Sequence, residues 1–183
     1  DVIANDRLFF YDHWGSLESD NLVNKLRFLA VGAEVDFIFL DHISIVVSGG
    51  QNGDNERVAI DNLMTALRSL AEETQVGIVI ISHLRRAQGD KGFENGHEVT
   101  LSHLRGSGGI AQLSDAVVAL ERDQQAEEDS NVGNIRVLKN RYTGENGLAG
   151  KVKYYKDTGR LLDYEGTTEE GGFANEEELP ADF

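Results

Sequence analysis

Asp41 closes an apolar run, Val35-Asp36-Phe37-Ile38-Phe39-Leu40-Asp41, with scarcely any alternation. Such a run reads as a strand buried on both faces of a sheet. A carboxylate where that strand leaves the sheet stands where open α/β sheets take up ligands. There it can hold Mg²⁺, directly or through water, beside a nucleoside triphosphate. This is the Walker B pattern, although buried strands also end in Asp for turn or capping reasons. His83 follows a second such run, Val76-Gly77-Ile78-Val79-Ile80-Ile81. A strand-end imidazole can hydrogen-bond a terminal phosphate and change partner when that phosphate leaves. Arg85, Arg86 and Lys91 come next, on a polar, glycine-bearing stretch. Cations spaced along a loop can hold the phosphates of single-stranded DNA, and Asp90, Glu94 and Glu98 dilute that charge here. His13, His42, His97 and His103 have no metal-ligand spacing and read as structural or surface residues. Ser44 has no partnered base and is no nucleophile candidate.

The elements that must carry these residues follow from periodicity. Arg7 to Asp12 reads as a short strand. Ser16 to Asp20 offers helix N-caps, and Leu22, Val23, Leu26, Leu29 and Ala30 share one helical face up to Gly32. With the strand at 36–41 this makes a β-α-β unit. Ser48 to Asn55 reads as a polar loop in which Asp54 can cap the next helix. Ile60, Leu63, Met64, Leu67 and Ala71 form that helix's core stripe. Leu104-Arg105-Gly106-Ser107-Gly108-Gly109 is a glycine turn before a short helix through Gln112 and Leu113, and 116–120 is a strand. Residues 134–138 and 148–155 alternate and read as antiparallel additions, joined by a glycine-bearing loop at 140–147. A turn at 157–160 precedes Leu161 and Leu162, where the core is expected to end. The fold class is α/β, mostly parallel with late antiparallel strands.

Composition sets wider limits. The chain has 183 residues, 40% apolar and 27% charged, enough for one ordinary core. No run approaches a membrane span, and no signal peptide is expected. Cysteine is absent, which excludes disulfides and thiolate metal sites and fits a reducing, cytoplasmic location. Net charge is −15, and residues 161–183 hold eight acids and no Lys or Arg, so over half of it sits in the last 23 residues, most of them an acidic tail. That tail, 165–183, is low in apolar content, is expected to be disordered, and ends in Phe183.

Six stretches now stand in one order: LDHIS at 40–44, ISHL at 81–84, LRGSGG at 104–109, QLSD at 112–115, ALER at 119–122 and KNRYTG at 139–144. Together they resemble the helicase half of the primase–helicases of T-seven-like bacteriophages, within the DnaB-type hexameric family with its RecA-like P-loop NTPase core. The resemblance covers about residues 7–164, with a tail similar in character. No G-x-x-x-x-G-K-[ST] phosphate loop occurs, because LRGSGG lacks the Lys-Ser/Thr pair. In the family that loop and the catalytic glutamate lie before Asp1. Residues 1–164 therefore look like the C-terminal part of a motor domain.

The resemblance implies roles residue by residue. His83 matches the family's phosphate sensor, and Arg85, Arg86 and Lys91 fall on its DNA-gripping loop. Arg105 and Gly106 begin a second channel-facing loop, where Ala111 departs from a basic residue in the phage relative. Gln112 matches the glutamine linking DNA contact to the nucleotide site. Arg122 and Tyr154 match the pair that packs around the base, with Tyr155 an adjacent decoy. Arg141 matches the arginine finger that reaches into a neighbour's site, with Lys139 the cation beside it. Phe183 and the acidic tail resemble the segment that touches the replicative DNA polymerase.

The implied function is a ring helicase. It uses Mg²⁺ and an NTP, ATP or dTTP, to translocate on single-stranded DNA and unwind fork DNA. A homo-oligomeric ring, hexameric by resemblance, is the expected assembly, in the host cytoplasm if phage-encoded. The 183 residues alone are expected to be inactive. Two other readings stay open on the sequence: a RecA-like recombinase or filament ATPase, and a non-catalytic assembly and polymerase-recruitment module.

Overall fold

The computed structural model describes residues 7–11, 19–44, 53–85, 92–104 and 108–164. The chain gathers into two compact units, Asp1–Ser82 and His83–Phe183. Among the described residues no helix is long and apolar enough to cross a membrane.

The first unit contains α1 (Ser19–Gly32), β1 (Phe37–Leu40), α2 (Gly53–Thr74) and β2 (Gly77–Ile80). β1 and β2 pair in parallel, from Phe37 opposite Gly77 to Leu40 opposite Ile80. A parallel pair needs a crossover, and α2 supplies it. Leu22 and Leu26 of α1 are buried, as are Ile60, Leu63, Met64, Leu67 and Leu70 of α2. Their three- and four-residue spacing puts them on one face of each helix, so Met64 is core as its stripe predicts. Arg27 of α1 forms an ion pair with Glu73 of α2. Gly32 is the last residue of α1, but the left-handed position falls on Glu34, with φ 51°. α2 ends similarly: Gln75, at φ 60°, donates its amide to the Ala71 carbonyl at 2.9 Å.

Four expectations change. Residues 7–11 form no strand, and Phe10 is 83% exposed. Their apolar content finds no strand edge to pair with; instead Lys25 of α1 meets the Tyr11 hydroxyl and ring. The β-α-β unit is thus β1-α2-β2, one element later than expected. β1 is covered on one face only: Ile38 is buried, whereas Phe37 and Phe39 are 64% and 72% exposed. With two strands and period-two side chains, the described residues cover the Ile38 face alone. Asp54 lies inside α2, which starts at Gly53. Much of the expected loop before it, residues 45–52, is outside the described residues.

The second unit begins irregularly, as its polar sequence predicts. Leu84 bridges Leu104, Asn95 bridges Asp123, and a 3₁₀ turn occupies Leu101–His103. Then come α3 (Gly108–Leu113), β3 (Ala116–Glu121), β4 (Val132–Asn140), β5 (Gly147–Tyr155) and β6 (Arg160–Asp163). The four strands form an antiparallel meander in the order β3-β4-β5-β6. The β4–β5 tip is built on Asn140, whose Oδ1 accepts the amides of Tyr142 and Thr143. An Asx residue turning the chain in this way is what a loop of Asn and Gly predicts. Leu161 and Leu162 do not end the core. They lie on the edge strand β6 and are 60% and 48% exposed. The mixed α/β class is the one expected. Among the described residues parallel pairing is confined to β1 and β2, and the other four strands are antiparallel.

Candidate functional site

Asp41 is exposed at the carboxyl end of β1. The main chain of Ile81 brackets it: the Ile81 amide donates to the Leu40 carbonyl at 2.9 Å, and the Ile81 carbonyl accepts the Ile43 amide at 3.0 Å. Asp41 and His42 are therefore the two residues at which the chain leaves the sheet, and the peptide between them is cis. The carboxylate stands at the strand end that ligands use in α/β sheets. Among the described residues there is no group of three His, Asp or Glu that could hold a metal ion.

His83 and Arg85 open the second unit and are exposed, flanking the Leu84–Leu104 bridge. The Arg85 amide donates to the His103 carbonyl at 2.8 Å, which anchors the root of the cationic stretch. Beyond it, Phe93, His97 and His103 form an aromatic cluster with ring centroids 5.2–5.7 Å apart. Arg86, Lys91, Arg105, Gly106 and Phe183 lie outside the described residues.

The densest polar constellation joins the carboxyl end of α3 to the β4 end. Lys139 Nζ donates to the carbonyls of Ala111, Gln112 and Ser114 at 2.6, 3.2 and 2.8 Å. An ammonium has three donors, so all of them are turned onto this helix end, whose dipole favours a cation. Burial holds Lys139 below the usual lysine range, with the charge of Arg141 adding to the shift and Asp115 opposing it. Arg141 follows the same pattern. Its Nη2 donates to the Gln112 carbonyl at 2.7 Å, and its Nη1 lies 3.1 Å from Asp115 Oδ1. Gln112, Lys139 and Arg141, far apart in sequence, thus meet at one point, through the Gln112 main chain.

Arg122 and Tyr154 are related by register. Glu121 stands opposite Asn134, which stands opposite Lys151, while Gly133 stands opposite Val152. Opposed residues share a face and successive ones alternate. Tyr154 is therefore on the face of Gly133 and Val152, and Arg122, one step past Glu121, falls on that face too. β3 and β5 flank β4 and Tyr154 lies two residues along β5 from Val152, so the two residues are about 12 Å apart on that face. Gly133, opposite Val152 on the same face, carries no side chain. Tyr155 points to the other face.

Three residues of these surroundings escape a reading by motif. Asp115 stands in QLSD, but its pairing with Arg141 needs the β3–β4 register, in which Ala116 opposes Asn140. Glu121 is buried, 7% exposed, and accepts the Val99 amide and Arg136 Nε. Its sequence context, ALER, looks like a surface strand end. Gly133 would read as a turn glycine. Each signal is present in the sequence only once the strand partners are known.

The chain is 43% identical over 161 residues to the DNA helicase/primase of Enterobacteria phage T3, covering 88% of this chain and 28% of that protein. It is 25% identical over 161 residues to the replicative DNA helicase DnaB of Geobacillus stearothermophilus, covering 85% of this chain and 34% of that one. These relatives are named as helicases, not as recombinases, and the chain spans about a third of their length or less. A solved DnaB-like replicative helicase, described together with its interactions with primase, matches with a TM-score of 0.69. The identity there is 21%, over 89% of this chain and 39% of that one, so the likeness is one of fold. Residues 2–161 match the family described as the DnaB-like helicase C terminal domain, and the chain belongs to that family.

Proposed function

We propose that this chain is the C-terminal part of the motor domain of a replicative ring DNA helicase, at residues 1–164, with an acidic tail at 165–183. In the whole protein, hydrolysis of an NTP, ATP or dTTP, drives translocation on single-stranded DNA and unwinding at a fork. The protein works in the cytoplasm of the cell that holds the DNA. The observation that carries the reading is the family match together with Asp41 exposed at the carboxyl end of β1.

Asp41 fits Mg²⁺ as a single carboxylate ligand. Magnesium keeps several waters and takes one or two carboxylates plus the substrate phosphates, so no cage of three protein ligands is required. When bound with the nucleotide, the ion supplies charge neutralisation on the phosphoryl oxygens. The chain's own residues do the rest. Asp41 would hold the ion beside the triphosphate, and His83 senses the terminal phosphate. Arg122 and Tyr154 sandwich the base. Arg141, from a neighbouring subunit with Lys139 beside it, meets charge that spreads onto the phosphoryl group in the transition state. Gln112 ties this cation to the DNA side through α3. Arg85, Arg86, Lys91, Arg105 and Gly106 hold the DNA backbone in a ring, hexameric in this reading. The acidic tail with Phe183 recruits the replicative polymerase.

The test uses the full-length protein. Arg141→Ala and Asp41→Asn should each assemble and bind nucleotide yet hydrolyse very slowly. Mixed rings should recover part of the activity, because some interfaces pair an intact Asp41 with an intact Arg141. A mixture as inactive as either parent, with subunit exchange shown directly, removes the trans assignment.

A further inference from the structure

Arg141 is held at three points by the same short segment. Its amide donates to the Asp115 carbonyl at 2.8 Å, its Nη1 lies 3.1 Å from Asp115 Oδ1, and its Nη2 donates to the Gln112 carbonyl at 2.7 Å. The amide bond continues the β3–β4 ladder by one step beyond Ala116 opposite Asn140. The two side-chain contacts fix the plane of the guanidinium relative to that ladder. A guanidinium has five N–H donors. The two spent here leave a second donor on each Nη, and the side chain remains 43% exposed. The fork is oriented without being used up. The end of α3 that receives it is braced by Lys139, which binds three of its carbonyls.

We infer that Asp115 is a positioning residue for Arg141, setting the plane in which this cation is presented to a phosphoryl group of a neighbouring subunit. The inference rests on the reading of Arg141 given above. An unheld arginine on a hairpin end would have to be ordered at every encounter, and misplacement by an ångström is costly in catalysis. Asp115 removes that ordering step. It does so as a partly exposed pair, with Asp115 34% exposed, and such pairs add little to fold stability. The weight of the Asp115–Arg141 pair therefore falls on orientation rather than on folding.

The experiment compares full-length variants assembled on single-stranded DNA. Asp115→Ala should lower kcat on the order of 10- to 100-fold. KM for the NTP, ring assembly and DNA affinity should stay as in the wild type. Asp115→Asn, which keeps an acceptor oxygen but loses the charge, should fall between the two, and it carries the comparison if the Ala variant does not assemble. In an Arg141→Ala background, Asp115→Ala should cause no further loss of kcat, because it is through Arg141 that Asp115 bears on the reaction. An unchanged kcat, a raised kcat or a further loss in that background overturns the inference. Arg141→Ala that hydrolyses at the wild-type rate would instead overturn the reading of Arg141 itself, and the role of Asp115 with it. A dead Arg141→Ala beside a normal Asp115→Ala leaves that reading standing and removes only the positioning role.

Discussion

Arg136 Nε lies 2.8 Å from Glu121 Oε1, and the same oxygen accepts the Val99 amide at 2.8 Å. One buried carboxylate therefore ties the irregular segment 92–104 to the β3–β4 pair. Arg136 also reaches Glu98, whose side chain is 65% exposed. Removing Glu121 leaves a buried amide without its acceptor and strips Arg136 of its buried partner. Breaking a buried pair from one side costs about 3–5 kcal/mol, and the remaining Glu98 contact puts Glu121→Ala near the lower end, about 3 kcal/mol. Glu121→Gln, which keeps shape and an acceptor, should cost less. Denaturant unfolding of the two variants checks the order; equal stabilities for wild type and Glu121→Ala would refute it.

The cationic stretch after His83 makes a second prediction. Its root is pinned by the Arg85 amide on the His103 carbonyl and by the Leu84–Leu104 bridge. In the full-length protein, Arg85→Ala, Arg86→Ala and Lys91→Ala combined should weaken binding to single-stranded DNA and reduce DNA-stimulated hydrolysis. Basal hydrolysis should largely survive. Each lost phosphate contact should flatten the salt dependence of log K by about 0.7. An affinity and slope identical to the wild type would remove these residues from the DNA interface.

Lys139 gives a pH dependence with a definite sign. Its folded pKa lies below the ordinary 10.5, first through burial and then through the Arg141 charge, with Asp115 opposing. Between the lowered value and 10.5 the unfolded chain binds more protons than the folded one, so the contribution of Lys139 to stability rises with pH across that window. Below the window the penalty for burying the charge is present in full. The stability of the wild type relative to Lys139→Met should therefore increase with pH across the window that ends at 10.5. Unfolding midpoints whose difference stays constant would contradict it.

The helices and strands of the first unit were legible because burial there follows period. Ile60, Leu63, Met64 and Leu67 sit at helical spacing and all are buried. The apolar run at 35–41 was legible as a strand but not in its burial, since period two cannot say what covers the second face of Phe37 and Phe39. Residues 7–11 show the converse. Apolar, β-prone residues make a strand only where an edge accepts them, and none does so among the described residues. The place of Asp41 at a strand end was readable from local pattern. The contacts that tie Lys139 and Arg141 to Ala111, Gln112 and Ser114 span 25–29 positions in sequence. They depend on a β3–β4 register with a shift between Val117 and Val118 that no periodicity announces.

The choice between Tyr154 and Tyr155 as the base-stacking residue turns on the same kind of register. Both are partly exposed, 37% and 43%, so accessibility does not separate them. Facing does: Tyr154 shares with Arg122 the face on which Gly133 leaves the sheet bare, and Tyr155 does not. Tyr154 is also held firmly, because Asn131 accepts its amide on the main-chain oxygen and donates Nδ2 to its carbonyl, both at 2.9 Å. A planar base between a phenol and a guanidinium gains from stacking on both. Base–aromatic stacking is worth about 1–3 kcal/mol, so Tyr154→Ala should raise KM for the NTP by about 5- to 150-fold. Tyr155→Ala should leave it within error. Gly133→Val supplies an independent check. A Cβ there meets the Glu121 carbonyl at 3.4 Å and Val152 Cγ2 at 3.7 Å, contacts the fold can absorb. Valine suits a strand, yet its side chain would fill the bare part of the face that Arg122 and Tyr154 share. Nucleotide affinity should fall in this variant while thermal stability is kept. Equal KM values for Tyr154→Ala and Tyr155→Ala, or undiminished nucleotide binding by a folded Gly133→Val, would show that the base does not lie on this face.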